Sequence, residues 1–244
     1  MALRVIMSSD FRDSRLSRYR CTLERGLLKK ILKLFGKSES VYGDLDLINA
    51  VHAHVESWVG EPVILHEKVS ETIHIDIYWV APSDERPFHT LVTSGMAQKA
   101  MKVPKGAEAC LYAELVMFLP SDWPMDRILE DEAAFWPIRV MKQLARYPHD
   151  HNTWLWLGHT VQLGEDGLPF DSVLLDFPML LESSGCALPL PDGRKVMFLG
   201  MILLRPEERE FCMANDSEAF MDLVEEQERL AEVLVLDLGR ESIV

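Results

Sequence analysis

The sequence predicts an α+β fold, with a mixed, largely antiparallel β-sheet flanked by α-helices. Three observations carry that prediction. Thr72 to Val80 (TIHIDIYWV) alternates strictly. Ile73, Ile75, Ile77 and Trp79 lie on one side and His74, Asp76 and Tyr78 on the other, the period-two pattern of a strand. A second run, Phe88 to Thr93, follows the turn-forming APSDERP, which predicts an antiparallel pair. Ala109 to Pro120 (ACLYAELVMFLP) is apolar on both faces apart from Glu114, as a central strand covered on two sides requires. Helical patterns flank these strands without the strict alternation of a doubly wound α/β protein.

In chain order, residues 14–35 form an amphipathic helical pattern. Leu16, Tyr19, Leu23, Leu27, Ile31 and Leu34 repeat at three- and four-residue spacing, and Arg15, Arg18, Arg25, Lys29, Lys30 and Lys33 occupy much of the rest. Gly26 weakens this helix, and Gly36 stops it and opens the linker GKSES. The chain is therefore expected to divide into a basic amphipathic helix with its linker at 1–40 and a domain at 41–244. A second helix is expected over Asp44 to Val59, with Asp44 as N-cap and Leu47, Val51, Val55 and Trp58 in one stripe. After the central strand, Asp122 is a candidate helix cap with Pro124 in the first turn. Asp131 to Tyr147 is helical in pattern, with Trp136, Val140, Leu144 and Tyr147 on a face, and Pro137 must start, kink or split it. Pro148 to Thr153 is expected as a loop. The segment TWLWLGHTVQLGEDG follows as a strand turning at Gly164 to Gly167. Residues 171–181 and 194–204 are two further strands, with Asp192-Gly193 as a turn between them. Ser217 to Arg229 is the last helix, capped by Asp216 or Ser217, with Phe220, Leu223 and Val224 inward. Glu232 to Leu238 either adds a closing strand or extends that helix.

The 244 residues are 48% hydrophobic and 26% charged, with mean hydropathy near zero, ordinary values for a globular chain. No apolar run reaches the roughly 18 residues that span a bilayer. The first ten residues lack the apolar stretch and cleavage site of a secretory leader, so none is expected. Cys21, Cys110, Cys186 and Cys212 are scattered without paired spacing, which fits a reducing, cytoplasmic setting. The net charge of −14 is unevenly divided. Residues 1–40 hold ten Lys/Arg against four Asp/Glu, or +6, and the remainder holds fifteen against thirty-five, or −20. Such a body repels nucleic acid and anionic membranes and attracts a basic partner. The basic helix at 14–35 is expected to be packed on the body or mobile in solution, with a peripheral membrane anchor as the alternative.

No constellation in the sequence supports an enzyme. Ser94 follows a strand at a sharp turn, but Thr93-Ser94-Gly95-Met96 lacks the first glycine of a nucleophile elbow, and no His and acid can be assigned as its triad partners. Ser94 is expected to bond the turn's own backbone, Gly95 to adopt an angle other residues resist, and Met96 to fill an apolar gap. His149, Asp150 and His151, with His159 further on, resemble a ligand cluster and define an alternative reading as a metal-assisted hydrolase, yet no established metal-ligand spacing accompanies them. Asp76 and Glu114 lie in apolar strands. Their expected role is pairing with Arg86, Arg139 or a backbone donor, and an acid/base pair is the alternative. No phosphate loop is present. Catalytic, cofactor-binding and metal-ligating residues are therefore all expected to be none.

The segments HIDIYWVAPSDERPFHTLVTSGMAQKAMKVP, YAELVMFLPSDW and FWPIRVMKQLARYPHDHNTWLWLGHT and the later GED turn resemble, in order and spacing, the suppressor-of-fused (SUFU) domain. The resemblance runs from about Val41 to the C-terminus and is loose after Asp171. It implies a mixed α/β domain that binds proteins and is not an enzyme. In animals the family captures a transcription factor and holds its peptide as an added β-strand between two lobes. This chain matches only the N-terminal type of lobe, and its compact length is similar to the bacterial members, some of them inferred to be immunity proteins of polymorphic toxin systems. The family-motif positions Asp76, Thr93, Ser94, Gly95, Met96, Glu114, Trp136, Trp154, Gly158 and His159 are thereby candidates for structural or partner-binding roles.

Overall fold

The computed structural model describes residues 44–67, 73–128, 130–164 and 167–244. The expected basic helix at 14–35, its linker, Cys21 and part of the GED turn lie outside them. The described residues form eight strands: β1 (Val63–Leu65), β2 (Asp76–Val80), β3 (Phe88–Ser94), β4 (Ala113–Pro120), β5 (Thr160–Gln162), β6 (Ser172–Asp176), β7 (Ala187–Pro189) and β8 (Lys195–Leu204). They also form helices α1 (Leu45–Trp58), α2 (Glu132–Asp150), α3 (Pro206–Asn215), α4 (Ser217–Glu226) and α5 (Leu230–Leu234).

The strands make a single sheet in the order β1-β2-β3-β4-β8-β6-β5, with β7 also on β8. All pairings are antiparallel except β4 with β8. The expected fold class is what the chain adopts. β4 lies in the middle, and every residue of it except Pro120 is buried, which is why its sequence is apolar on both faces.

Alternation along the strands sends residues to two cores. Ile77, Leu91, Leu115, Met117, Leu199 and Met201 meet Trp136, Val140, Met141 and Leu144 of α2. On the other face Tyr78, Val92, Val116, Phe198 and Ile202 meet Leu47, Val51 and Val55 of α1 and Phe220 and Val224 of α4. Asp44 caps α1 as expected, its carboxylate accepting from the Asp46 and Leu47 amides, both at 3.2 Å.

Several boundaries differ from expectation. β2 starts at Asp76; Ile73 and Ile75 are buried in the same core without being part of the strand. Asp122 caps no helix, because the chain makes only a single 3-10 turn, Met125–Arg127, preceded by Pro124. Pro137 neither starts nor splits α2, and the expected loop at Pro148 is the last turn of that helix, which runs to Asp150. The strand expected from Trp154 is reduced to Thr160–Gln162, since Gly158 turns the chain at φ +79° and donates its amide to Leu175 O at 2.7 Å. The last pattern splits too: α4 ends at Glu226, α5 follows, and Val235 then bridges Phe118 in parallel. Helix α3 has no counterpart among the expected elements. Its signal in the sequence is Pro206 at the first turn followed by Glu207 and Glu208.

Candidate partner-binding site

Thr93, Ser94, Gly95, Met96 and Glu114 meet at one place. Backbone pairing of β3 with β4 ends at Val92–Val116. Beyond it the Thr93 hydroxyl takes over, accepting the Leu115 amide at 2.8 Å and donating to Glu114 Oε2 at 2.6 Å. The chain then turns through Gly95, and the amides of Gly95, Met96 and Ala97 point at the same carboxylate, at 2.9, 3.3 and 3.0 Å. The Ser-Gly turn is thus an anion-binding nest filled by a side chain of the next strand. Glu114 is fully buried. Burial pushes its carboxyl up to about 7, against the pull of those four hydrogen bonds. The expected backbone donors are therefore among its partners. Ser94 is buried at the end of β3. Met96 is fully buried, and its carbonyl accepts from His149 Nε2 of α2 at 3.1 Å.

Asp76, opposite Ser94 in the β2–β3 pairing, belongs to a neighbouring ionic cluster. Its carboxylate accepts from His66 (3.0 Å), His74 (2.9 Å) and the Glu67 amide (2.9 Å). Burial alone would raise this carboxyl, but the three hydrogen bonds outweigh it and hold the group well below the usual range. Glu67 is itself buried, receives the Ile75 amide at 3.1 Å, and pairs with Arg146 of α2. Lys142, one turn earlier on α2, is 4% exposed, and its ammonium sits 3.8 Å from Glu67 without a hydrogen-bond partner. Burial pushes it down to about 8. Sequence reasoning does not single out Glu67, Lys142 or Arg146. The one signal there is two cations four residues apart on an otherwise apolar helix face.

Three outcomes follow from this cluster. Lys142→Met should leave stability in urea within about 1 kcal/mol of the parent or raise it, since it removes a buried cation with no hydrogen bond. Arg146→Met should lose roughly 3 kcal/mol by stranding Glu67. Equal losses from both would show that Lys142 carries as much of the pairing as Arg146. The hydrogen bond to Asp76 raises the His66 imidazole above its ordinary value. That contribution is complete below about pH 6.5 and fades as pH rises through the raised value. The Asp76 contribution persists above about pH 4 and fades only in stronger acid. The Tm penalty of His66→Ala should therefore be larger at pH 6 than at pH 8, and a penalty independent of pH would contradict the pairing.

The remaining motif positions are dispersed. Trp136 is buried edge-on to Trp123, ring centroids 6.3 Å apart. Trp154 packs edge-on against His159 at 4.5 Å, and Gly158 lies against Ser217. The three histidines of the metal reading do not converge: His149 serves Met96, His151 lies on the Tyr147 ring at 4.6 Å, and His159 lies on Trp154. Among the described residues no group of three His, Cys, Asp or Glu side chains is placed to hold a metal ion.

The sheet itself forks. β4 and β8 pair from Ala113–Met197 to Val116–Gly200 and then separate, β8 continuing beside β6 up to Leu204. Gly200 is the branch residue, and a Cβ there would press on Phe177 O and Pro178 Cα, at 3.0 Å from each. The C-terminal segment enters the fork. Val235 bridges Phe118, the Leu236 amide donates to Phe118 O at 3.0 Å, and Arg240 Nη2 donates to Leu203 O at 2.9 Å. Arg240 is locked by a bidentate pair with the fully buried Glu208, at 2.5 and 2.6 Å. A residual cavity of about 10 Å³ remains between Met117, Met201 and Leu234, at the limit for a single water. At the mouth of the fork lies a groove of about 570 Å³, lined by Pro120, Trp123 and Leu238 and edged by Asp122, Glu232 and Asp237.

Among the described residues, then, a central strand with one edge only partly paired ends at a groove with an acidic rim. The family model described as Suppressor of fused protein (SUFU) matches residues 71–241. The chain belongs to the SUFU family. In structure it is similar to a SUFU homolog from Neisseria gonorrhoeae (20% identity, TM-score 0.58, covering 82% of this chain and 98% of that one). It is also similar to a chain of the Sufu–Fu complex (12%, 0.57, 82% and 92%) and to Drosophila Suppressor of Fused (12%, 0.55, 80% and 50%). None of the curated proteins matches the sequence. No described helix is long and apolar enough to cross a membrane.

Proposed function

We propose that this chain is a non-enzymatic binding module that takes an extended segment of a partner protein at the mouth of the β4–β8 fork and thereby neutralises or regulates that partner. The observation that carries this reading is the fork: Met117 to Pro120 of β4 continue past the last β8 pairing, and among the described residues one bridge, from Val235, covers that edge. An extended peptide in the groove would lie at the end of β4 beside Pro120, with Trp123 and Leu238 as apolar contacts. The acidic rim and the −20 body favour a basic partner and fast association. A basic toxin of a polymorphic toxin system, with this chain as its cytoplasmic immunity protein, is the partner class that the resemblance to compact bacterial members supports.

The test is capture of host proteins and neighbouring gene products by the immobilised full chain, beside an Asp122→Lys/Leu238→Arg variant whose substitutions lie on the exposed rim. The parent should retain a basic protein that the variant loses, with an unchanged Tm. Equal retention by both would place the site elsewhere.

A further inference from the structure

Residues 236–243 run in no helix or strand, and the bridge of Val235 to Phe118 and the Leu236 amide join them to β4. Their carbonyls are received by side chains instead. Arg205 Nη2 donates to Leu238 O at 3.4 Å and also to Arg240 O. Arg229 donates to Glu241 O at 3.0 Å and to Ser242 O at 3.1 Å, and Gln227 Nε2 to Ile243 O at 3.0 Å. Four consecutive carbonyls, 240 to 243, are thus held from outside the segment, as a binding site holds an extended peptide. Such backbone contacts carry no sequence information; the anchors do. Leu236 and Ile243 are each 5% exposed. Between them Arg240 enters a socket made by Glu208, Leu203 O and the Phe170 ring. Arg205 lies on the same ring, 5.5 Å from its centroid, and its Nε is buried without a hydrogen-bond partner. The segment therefore leaves one donor of this cradle unused.

Glu208 sets what can sit there. It is fully buried, and among the described residues Arg240 is the cation paired with it. Stranding that carboxylate is strongly destabilising, whereas exchanging one arginine for another leaves it paired. A guanidinium is required, because its planar fork takes both carboxylate oxygens and an ammonium does not. We infer that the cradle of Arg205, Glu208, Gln227 and Arg229 is a peptide site occupied in cis by residues 236–243, and that an extended segment of a partner protein, with an arginine three residues before an aliphatic residue, replaces them. The incoming arginine takes over Glu208 as Arg240 leaves. The cis segment competes at an effective concentration on the order of millimolar, which a partner must overcome. The −20 charge of residues 41–244 favours an arginine-bearing segment. None of the four cradle side chains lines the groove at the fork mouth, so the inference does not rest on that site. Release of Leu236 would nonetheless uncover Phe118 O of β4.

The probe is a fluorescein-labelled peptide of residues 235–244, added to the full chain. It should bind the Arg240→Met protein about tenfold or more tightly than the parent, whose own segment competes. The same peptide carrying Arg240→Met should bind that protein about tenfold or more weakly. Equal binding of the two peptides, or no binding to the folded variant, overturns the inference. Ile243→Ala, which keeps the Arg240–Glu208 pair, takes the place of Arg240→Met if that chain does not fold. Hydrogen exchange of the parent reads the same opening without any substitution. The Leu236 and Ile243 amides should exchange together, about tenfold or more faster than those of Leu115 and Leu199 in β4 and β8. Exchange at the rate of those core amides would mean that the segment opens only with the whole domain, which also overturns the inference. Either failure leaves the fork reading standing, since its own test is capture of a host protein.

Discussion

Gly95→Ala is expected to lose about 4 kcal/mol or more, a drop in Tm of roughly 8–16 °C for a domain of this size. Gly95 sits at φ +135°, and a Cβ there would lie 2.0 Å from His74 O and 3.1 Å from its carbonyl carbon. Those are backbone atoms, so no rotamer change relieves the contact. To make room, the chain must move either the residues leading into β2 or the turn itself. Moving the turn withdraws the Gly95 and Ala97 amides from Glu114, which then has fewer donors in a fully buried place. A Gly95→Ala protein that melts within about 2 °C of the parent would show that the turn is adaptable and that the nest is not needed for stability.

Arg240→Met is the second substitution with a large expected effect, about 3–5 kcal/mol, because it leaves Glu208 buried without its cation. Glu208 also accepts the Arg205 amide at 2.8 Å and the Ile243 amide at 3.1 Å, so it ties the start of α3 to the C-terminal segment. Losing Arg240 should release residues after Leu234 first, giving protease cleavage there before the rest of the domain unfolds. Adding Glu208→Gln to Arg240→Met should restore part of the loss, since the amide removes the stranded charge while its oxygen still accepts a backbone N–H. The two variants would be equally unstable if packing of the arginine on Phe170, at 5.4 Å, rather than charge pairing held the segment. Under the proposed function the same variant is informative twice, because a loosened C-terminal segment changes access to the β4 edge.

The strands that set the fold are legible because burial on both sides of a sheet imposes local patterns. β2 alternates, β4 is apolar throughout, and Asp192-Gly193 turns β7 into β8. Helix α1 is equally legible from its cap and stripe. The failures are specific. Pro148 reads as the end of α2, yet the helix runs on to Asp150, and the following amides of His151 and Thr153 find Tyr147 O and Pro148 O. Trp154 and Trp156 resemble strand residues by composition, but they are only partly buried, ahead of the turn at Gly158.

The candidate site is legible only in pieces. Sequence alone determined that Glu114 and Asp76 are acids inside strands, that Gly95 follows a strand at a turn, that the body carries −20 and the arm +6, and that ordered motifs place the chain near the SUFU domain. Each of these is local or additive, a matter of periodicity, composition or short spacing. Tertiary structure alone decided that Glu114 fills the nest of Thr93 to Ala97, that Glu67 meets Arg146 79 residues away, and that Glu208 meets Arg240 across 32. It also decided that the sheet forks at Gly200 around the C-terminal segment. Such pairs form only when the sheet has fixed which chain ends lie side by side. A buried charge or a strand edge has no local pattern that names its partner, because the partner is chosen by register and burial across the whole domain.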